Sequence, residues 1–125
     1  MSLPAVSLSG RRILVVEDEF LIATELKRWL HEAGAEVIGP VPSVDQALDL
    51  IEDHRLDGAV LDITLGDGDT SYPVADRLEV LRVPYLFATA EVQKTKAGGY
   101  NDPPWLGKPC SKADLLRMLS DLIAA

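Results

Sequence analysis

Several short apolar segments of the sequence end on a side chain that can take part in chemistry. The side chains at these ends are Glu17, Asp18, Asp62, Thr89 and Lys108. In an open parallel sheet the carboxyl ends of the strands share one edge, where ligands bind. Three carboxylates about 5 Å apart repel by on the order of 3 kcal/mol per pair, so a cation has to offset them. Carboxylate and carbonyl oxygens are the ligands that Mg²⁺ prefers, usually with a phosphoryl group, and Lys108 adds a fixed positive charge.

Each of these residues also has a purely structural interpretation. Asp18 could cap the following helix, and Asp62 and Thr89 could merely end strands. Lys108 could be a solvated surface charge. Such residues at four strand ends are harder to explain in this way than any one of them alone.

The elements that would position these residues alternate between strand and helix patterns. Segments typical of strands are 12–17, 36–41, 58–62, 84–89 and 105–108. Apolar residues recur at helical spacing after Glu19, Ser43, Pro73 and Ser111. This alternation favours a parallel sheet with helices on both faces.

Two strand segments carry positional signals. The segment 58–62 is almost continuously apolar, as expected of a central strand that helices cover on both sides. Gly39 and Pro40 weaken 36–41, which predicts an edge strand. Between the fourth and fifth strands, glycines and prolines interrupt residues 90–104, so any helix there is expected to be short or irregular.

Length and composition are those of one globular domain. The 125 residues are 47% hydrophobic, carry a net charge of −8 and include one cysteine. This charge argues against binding nucleic acid or an anionic membrane surface, and no apolar run is long enough to span a membrane. The single Cys110 fits a reducing, cytoplasmic compartment. We expect residues 1–9 to be a tail, disordered or partly vector-derived, and residues 10–125 to form the domain.

The segments "ILVVEDE", "VLDITLGDG", "FATA" and "LGKP", in this order and spacing, resemble the receiver domain of two-component response regulators. The resemblance covers roughly residues 11–124. It implies a flavodoxin-like, doubly wound five-stranded parallel sheet in the order 2-1-3-4-5. It also implies a phosphoacceptor signalling domain with self-phosphorylation and autodephosphorylation chemistry, rather than an enzyme.

The resemblance also assigns roles to the residues at the strand ends. Asp62 would accept a phosphoryl group from a histidine kinase or a histidine phosphotransfer protein. The ligands of Mg²⁺ or Mn²⁺ would be Glu17, Asp18, Asp62 and the backbone carbonyl of Thr64. Thr89 and Lys108 would bind the phosphoryl oxygens. A carboxylate nucleophile beside a metal and a lysine suits that reaction.

A narrower likeness is visible in "SYPVADRLEVLRVPYLFATA". It is similar to the stand-alone receivers called FATGUY, which are paired with HWE-type histidine kinases. Ala90 and Glu91 stand where that branch has glycine and an aromatic residue.

Trp105 occupies the position of the switch aromatic in chemotaxis-type receivers, or it simply packs against the last helix. We also expect residues 90–104 to become ordered on phosphorylation and the Lys108–Pro109 bond to be cis.

Two other functions remain open from the sequence. A haloacid-dehalogenase-type phosphatase would need a second carboxylate two residues after Asp62, where Thr64 stands. A pseudo-receiver would bind partners without phosphoryl turnover. For a true receiver, output passes to a downstream protein or the domain is a phosphate sink. The domain is then expected to be a monomer or a weak homodimer.

Cys110 is expected to be a small buried hydrophobe. His31 and His54 are expected to be surface residues.

Overall fold

The computed structural model describes residues 7–89, 105–108 and 110–124. Five strands alternate with helices along this part of the chain. The elements in order are β1 (Arg12–Val16), α1 (Phe20–Glu32), β2 (Glu36–Val41), α2 (Val44–Asp53), β3 (Gly58–Leu61), a 3-10 turn (Gly66–Gly68), α3 (Tyr72–Val80), β4 (Tyr85–Thr89), β5 (Trp105–Gly107) and α4 (Lys112–Ala124).

The strands form one parallel sheet in the order β2-β1-β3-β4-β5. This order confirms the predicted fold, with β2 at an edge and β3 in the centre. All four residues of β3 are buried, as the continuous apolar run predicts. Several strands end one residue earlier than the apolar pattern suggests. Glu17, Asp62 and Lys108 therefore lie just beyond their strands, on the edge formed by the carboxyl ends.

Alternating side chains of the sheet build two apolar layers. In β1, Leu14 and Val16 face the layer shared with α2 and α3, which we call the α2–α3 layer. Ile13 and Val15 face the layer shared with α1 and α4, which we call the α1–α4 layer. The two layers form because a strand directs successive side chains to opposite faces, and buried apolar side chains of the helices close each layer.

Local signals in the sequence explain where the helices begin. The backbone N–H of Gln46 donates to Ser43 Oγ at 3.3 Å, and that of Asp114 donates to Ser111 Oγ at 3.1 Å. Both predicted caps are therefore present. The interpretation of Asp18 as a helix cap is wrong, because the residue before α1 is Glu19 and no side chain caps this helix.

The N-terminal boundary contains one packed residue from the expected tail. Leu8 is 2% exposed in the α1–α4 layer, and its N–H donates to the carbonyl of Ala33 at 2.8 Å. Residues 1–6, the expected irregular helix within 90–104 and the Lys108–Pro109 bond lie outside the described residues. Among the helices that are described, none is both long and apolar enough to cross a membrane.

The two layers predict where the fold is sensitive to substitution. Leu78 and Val80 lie on the same helix, but Leu78 is fully buried in the α2–α3 layer and Val80 is 69% exposed. We expect Leu78→Ala to lower the free energy of unfolding by about 3 kcal/mol, through lost burial and a cavity. Val80→Ala, the matched control, should change it by no more than about 0.5 kcal/mol. Equal effects in urea titrations would contradict this packing.

Candidate functional site

Strand pairing brings the acidic residues together. Val16 pairs with Leu61 across β1 and β3, so Glu17 and Asp62, which follow them, emerge side by side. The N–H of Asp62 donates to the Val16 carbonyl at 2.9 Å. One carboxylate oxygen from each of Glu17, Asp18 and Asp62 lies within 4.8 Å of the other two. The structure thus places three predicted metal ligands in one cluster, the acidic cluster.

The members of the acidic cluster differ in their access to solvent. Glu17 is 3% exposed and Asp62 is 7% exposed, whereas Asp18 is open to solvent. Buried carboxylates are uncommon unless a cation or several hydrogen-bond donors face them. The open side at Asp18 gives a route by which an ion or a small molecule reaches the two buried carboxylates.

Lys108 supplies a positive charge to this cluster from the far side of β4. Its Nζ lies 2.5 Å from Oε1 of Glu17 and 3.3 Å from Oδ2 of Asp62. The lysine side chain is only 10% exposed. The predicted convergence of Lys108 with the carboxylates is therefore observed, and its interpretation as a solvated surface charge is wrong because two buried carboxylates hold it.

A backbone donor fixes the second oxygen of Glu17. Oε2 accepts a hydrogen bond from the N–H of Glu19 at 3.1 Å, in the turn that leads into α1. Glu17 therefore has one oxygen on the Lys108 ammonium and the other on the backbone. The turn after β1 and the lysine after β5 hold this carboxylate from two sides.

The environment of the cluster shifts two pKa values. Burial and, to a smaller extent, the negative charge of Glu17 raise the pKa of Asp62 from 3.8 to about 7, although the Lys108 ammonium opposes both effects. Burial alone would lower the pKa of Lys108, but its hydrogen bond to Glu17 and the charge of Asp62 raise it above the ordinary value. Lys108 is therefore held in its charged form, whereas ionisation of Asp62 costs more free energy than that of an ordinary aspartate.

The loop after Asp62 closes beside the acidic cluster. Thr64, two residues on, is exposed and forms an isolated antiparallel bridge with Thr70. A Cβ atom at Gly66 would lie 3.5 Å from Oδ2 of Asp18, so the loop approaches the exposed carboxylate. The role of the Thr64 carbonyl stays a prediction. For Thr89, the structure describes the backbone alone, which pairs with Gly107 at the end of β4.

Trp105 packs on the opposite face of the sheet from the last helix. Its ring lies 5.1 Å from that of Phe87, its partner in the β4–β5 ladder, within the α2–α3 layer. The alternative that Trp105 packs against the last helix is wrong, because Leu106 is the residue of β5 that faces α4. Tyr72 and Tyr85 complete edge-to-face contacts with Phe87. The sequence interpretation missed this aromatic cluster, although alternation along β4 and β5 indicates it.

The remaining candidates are peripheral. Cys110 is half-buried against the α1–α4 layer, and burial raises the pKa of its thiol, which disfavours the reactive thiolate. His31 is exposed, and Nδ1 of the partly buried His54 lies 3.0 Å from the Leu50 carbonyl. Neither histidine belongs to the acidic cluster.

The architecture and the acidic cluster define a doubly wound α/β domain with a carboxylate and lysine site at its strand ends. Residues 13–120 match the family model of the response regulator receiver domain, so the chain belongs to that family. Receiver domains are signalling modules of two-component systems rather than classical enzymes.

The relatives of this chain include regulators from several bacteria. The chain is 32% identical over 114 residues to the phyllosphere-induced regulator PhyR of Methylorubrum extorquens, covering 89% of this chain and 43% of that protein. It therefore spans less than half the length of this relative. The likeness to the FATGUY branch and its HWE-type kinases stays a prediction.

Solved structures agree with the fold. The solution structure of SdrG from Sphingomonas melonis is 35% identical, with a TM-score of 0.80, over 91% of this chain and 97% of that one. The receiver domain of the sensor histidine kinase PA1611 from Pseudomonas aeruginosa is 27% identical, with a TM-score of 0.81, over 94% of this chain and all of that one. That structure holds a magnesium ion in its active site cleft.

The raised pKa of Asp62 predicts how stability depends on pH without metal. Between its ordinary value of 3.8 and about 7, the folded state keeps a proton that the unfolded state has lost. The contribution of Asp62 to the free energy of unfolding therefore falls as pH rises through this window. We expect Asp62→Asn to be about as stable as the wild type at pH 4 and, after partial offset by Lys108 and solvent screening, about 1 kcal/mol more stable at pH 8.

Urea unfolding in the presence of EDTA measures this difference at each pH. The exposed acid Asp69 is the control, and Asp69→Asn should show no such pH-dependent gain. A constant difference between Asp62→Asn and the wild type from pH 4 to 8 would show that Asp62 ionises normally in the folded protein.

Proposed function

We propose that Asp62 accepts a phosphoryl group from the phosphohistidine of a histidine kinase or a histidine phosphotransfer protein. The observation that carries this proposal is the position of Asp62. It is a buried carboxylate within 4.8 Å of those of Glu17 and Asp18, and Lys108 lies 3.3 Å away. Membership of the receiver family supports the same reaction class.

In the proposed step, a carboxylate oxygen of Asp62 forms a bond to phosphorus. The bond between phosphorus and the imidazole nitrogen breaks, its electron pair stays on that nitrogen, and the ring leaves as neutral imidazole because its other nitrogen carries a proton. The Lys108 ammonium, 3.3 Å from Oδ2 of Asp62, is proposed to pair with an oxygen of the arriving group, because the resulting acyl phosphate carries more negative charge than the free carboxylate. Thr89, at the end of β4, is proposed to donate a hydrogen bond to another phosphoryl oxygen.

The donor set of the acidic cluster fits a hard divalent cation. Glu17, Asp18 and Asp62 offer carboxylate oxygens at one edge of the sheet, and the Thr64 carbonyl follows in the adjoining loop. These four residues are proposed to hold Mg²⁺ or Mn²⁺. When bound, such an ion offsets negative charge on the transferring phosphoryl group. The magnesium ion in the PA1611 receiver supports this assignment.

The proposed output is a phosphorylation-dependent contact with a downstream protein, or removal of phosphoryl groups as a phosphate sink. A net charge of −8 favours a protein partner over DNA or an anionic membrane surface. A cytoplasmic location and a monomeric or weakly dimeric state belong to the same proposal. The family match leaves no support for a haloacid-dehalogenase-type phosphatase.

The acceptor assignment predicts the effect of one amide substitution. With phosphoramidate and Mg²⁺, the wild type should gain the mass of one phosphoryl group in intact-protein mass spectrometry, and the adduct should last for minutes. Asp62→Asn should gain none, because an amide lacks the nucleophilic carboxylate. Asp69→Asn, in the same loop but exposed, should behave as the wild type.

Two results would change the proposal. An adduct on Asp62→Asn that persists when Asp18 is also changed to Asn would place the acceptor elsewhere. A wild type that binds Mg²⁺ but takes up no phosphoryl group from phosphoramidate or any histidine kinase would favour the pseudo-receiver.

The metal assignment predicts a loss of affinity when Asp18 is truncated. Asp18→Ala removes the exposed anionic ligand and should weaken Mg²⁺ binding by about tenfold or more, given the usual strength of interactions with charged groups. Asp45→Ala, an exposed acid on α2, should leave the affinity within about twofold by the same scale. Isothermal titration calorimetry measures both, and unchanged affinity in Asp18→Ala would remove this residue from the site.

A further inference from the structure

A cavity of about 440 Å³ lies at the amino end of the sheet, at the opposite end of the strands from the acidic cluster, and we call it the amino-end cavity. Its apolar wall consists of Ile51 in α2, Leu56 before β3, and Leu81 and Val83 between α3 and β4. Leu81 is 43% exposed, although it is a large apolar side chain. Small-molecule sites are typically concave, of this size and lined by apolar side chains with a few polar groups.

The polar groups of the amino-end cavity favour an anion. Arg55 lines the cavity, and within the part of the chain that the structure describes it has no ion pair. Glu52 also lines the cavity, but its two oxygens accept hydrogen bonds from Arg77 at 3.1 and 3.3 Å. The His54 ring is held by the Leu50 carbonyl, 3.0 Å from Nδ1. The cavity therefore presents an uncompensated positive charge beside apolar walls.

A second arginine stands at the edge of the cavity with a strained backbone. Arg82 lies between the lining residues Leu81 and Val83, is exposed, and has a φ of 60°. Its N–H donates to the Glu79 carbonyl at 3.1 Å, and the Val83 N–H donates to the Leu78 carbonyl at 2.9 Å. Glycine is usual at this position of such a helix end, because a Cβ atom makes the left-handed backbone unfavourable. Strain of this kind is typically retained where the side chain has a function.

We propose that the amino-end cavity binds a small organic anion, whose apolar body lies against the apolar wall and whose carboxylate pairs with Arg55 and Arg82. A guanidinium suits this role because it can donate two parallel hydrogen bonds to one carboxylate. The chain carries a net charge of −8, so its overall field repels anions and only a local excess of arginine can hold one. The site is separate from the acidic cluster and does not depend on the phosphoacceptor or metal assignments.

Titration with 2-naphthoate, a carboxylate on a flat apolar body, tests the proposal by ¹H–¹⁵N NMR spectroscopy. The backbone amides of residues 51–56 and 81–83 should shift in a saturable way, with a Kd below about 1 mM. The amides of Glu17, Asp18 and Asp62 should not shift. The neutral 2-naphthamide, which has nearly the same shape, should bind about tenfold more weakly because it lacks the charge that the arginines recognise.

Substitution of Arg55 tests the charge that lines the cavity. Arg55→Gln should weaken binding of 2-naphthoate by about tenfold, through loss of a charged hydrogen-bond donor. Arg28→Gln is the matched control, because Arg28 is an exposed arginine of α1, on the other face of the sheet, and its loss should leave the affinity unchanged. Asp62→Asn should also bind 2-naphthoate as the wild type does.

Substitution of Arg82 separates binding from stability. Arg82→Gly should weaken binding by about tenfold, yet raise the urea midpoint of unfolding, because glycine adopts the left-handed backbone without strain. An arginine that only offset the partial negative charge at the carboxyl end of α3 would behave differently. Arg82→Gly would then lower the urea midpoint and leave the affinity for 2-naphthoate unchanged, which would overturn the role of Arg82.

Three further results would overturn the proposed site. The first is the absence of saturable shifts at residues 51–56 and 81–83 with 2-naphthoate up to about 1 mM. The second is equal affinity for 2-naphthoate and 2-naphthamide, which would show an apolar cavity without anion recognition. The third is wild-type affinity in Arg55→Gln. None of these results bears on phosphorylation of Asp62.

Discussion

The pairing of β1 with β3 is the constraint on which the site depends. It places Glu17 and Asp62 next to each other at the end of the sheet, where two buried carboxylates repel. The Lys108 ammonium, reaching over the end of β4, offsets part of that repulsion. Burial, followed by the remaining excess of negative charge, raises the pKa of Asp62 to about 7. A site of this kind lowers the stability of the metal-free fold, as functional sites commonly do.

Packing in the two apolar layers offsets the free-energy cost of the two buried carboxylates. The strands that lead to the acidic cluster are buried on both faces, so their ends are held in register by packing that does not involve the charged residues. Strand β1 contributes alternate side chains to the α2–α3 layer and to the α1–α4 layer. Because β3 is covered from both sides, the position of Asp62 is fixed by the centre of the sheet rather than by a mobile loop.

The resemblance to receiver domains implied the order of the strands. The sequence itself was sufficient to predict the strands, their parallel arrangement and, through Gly39 and Pro40, the edge position of β2. It also predicted the Ser43 and Ser111 caps, since capping depends on residues close in sequence. It could not predict that Lys108 lies nearer Glu17 than Asp62, because a long side chain crossing a neighbouring strand obeys no local pattern. The face on which Trp105 packs follows from strand alternation, but only once the register of β5 against β4 is known.

The proposed phosphoacceptor is the carboxylate of Asp62. An acyl phosphate can be reduced by borohydride, which converts the phosphorylated aspartate to homoserine. After incubation of the wild-type protein with phosphoramidate and Mg²⁺, reduction and peptide mass spectrometry should find homoserine at position 62. Homoserine at position 18 or 69, with unmodified aspartate at position 62, would contradict this account.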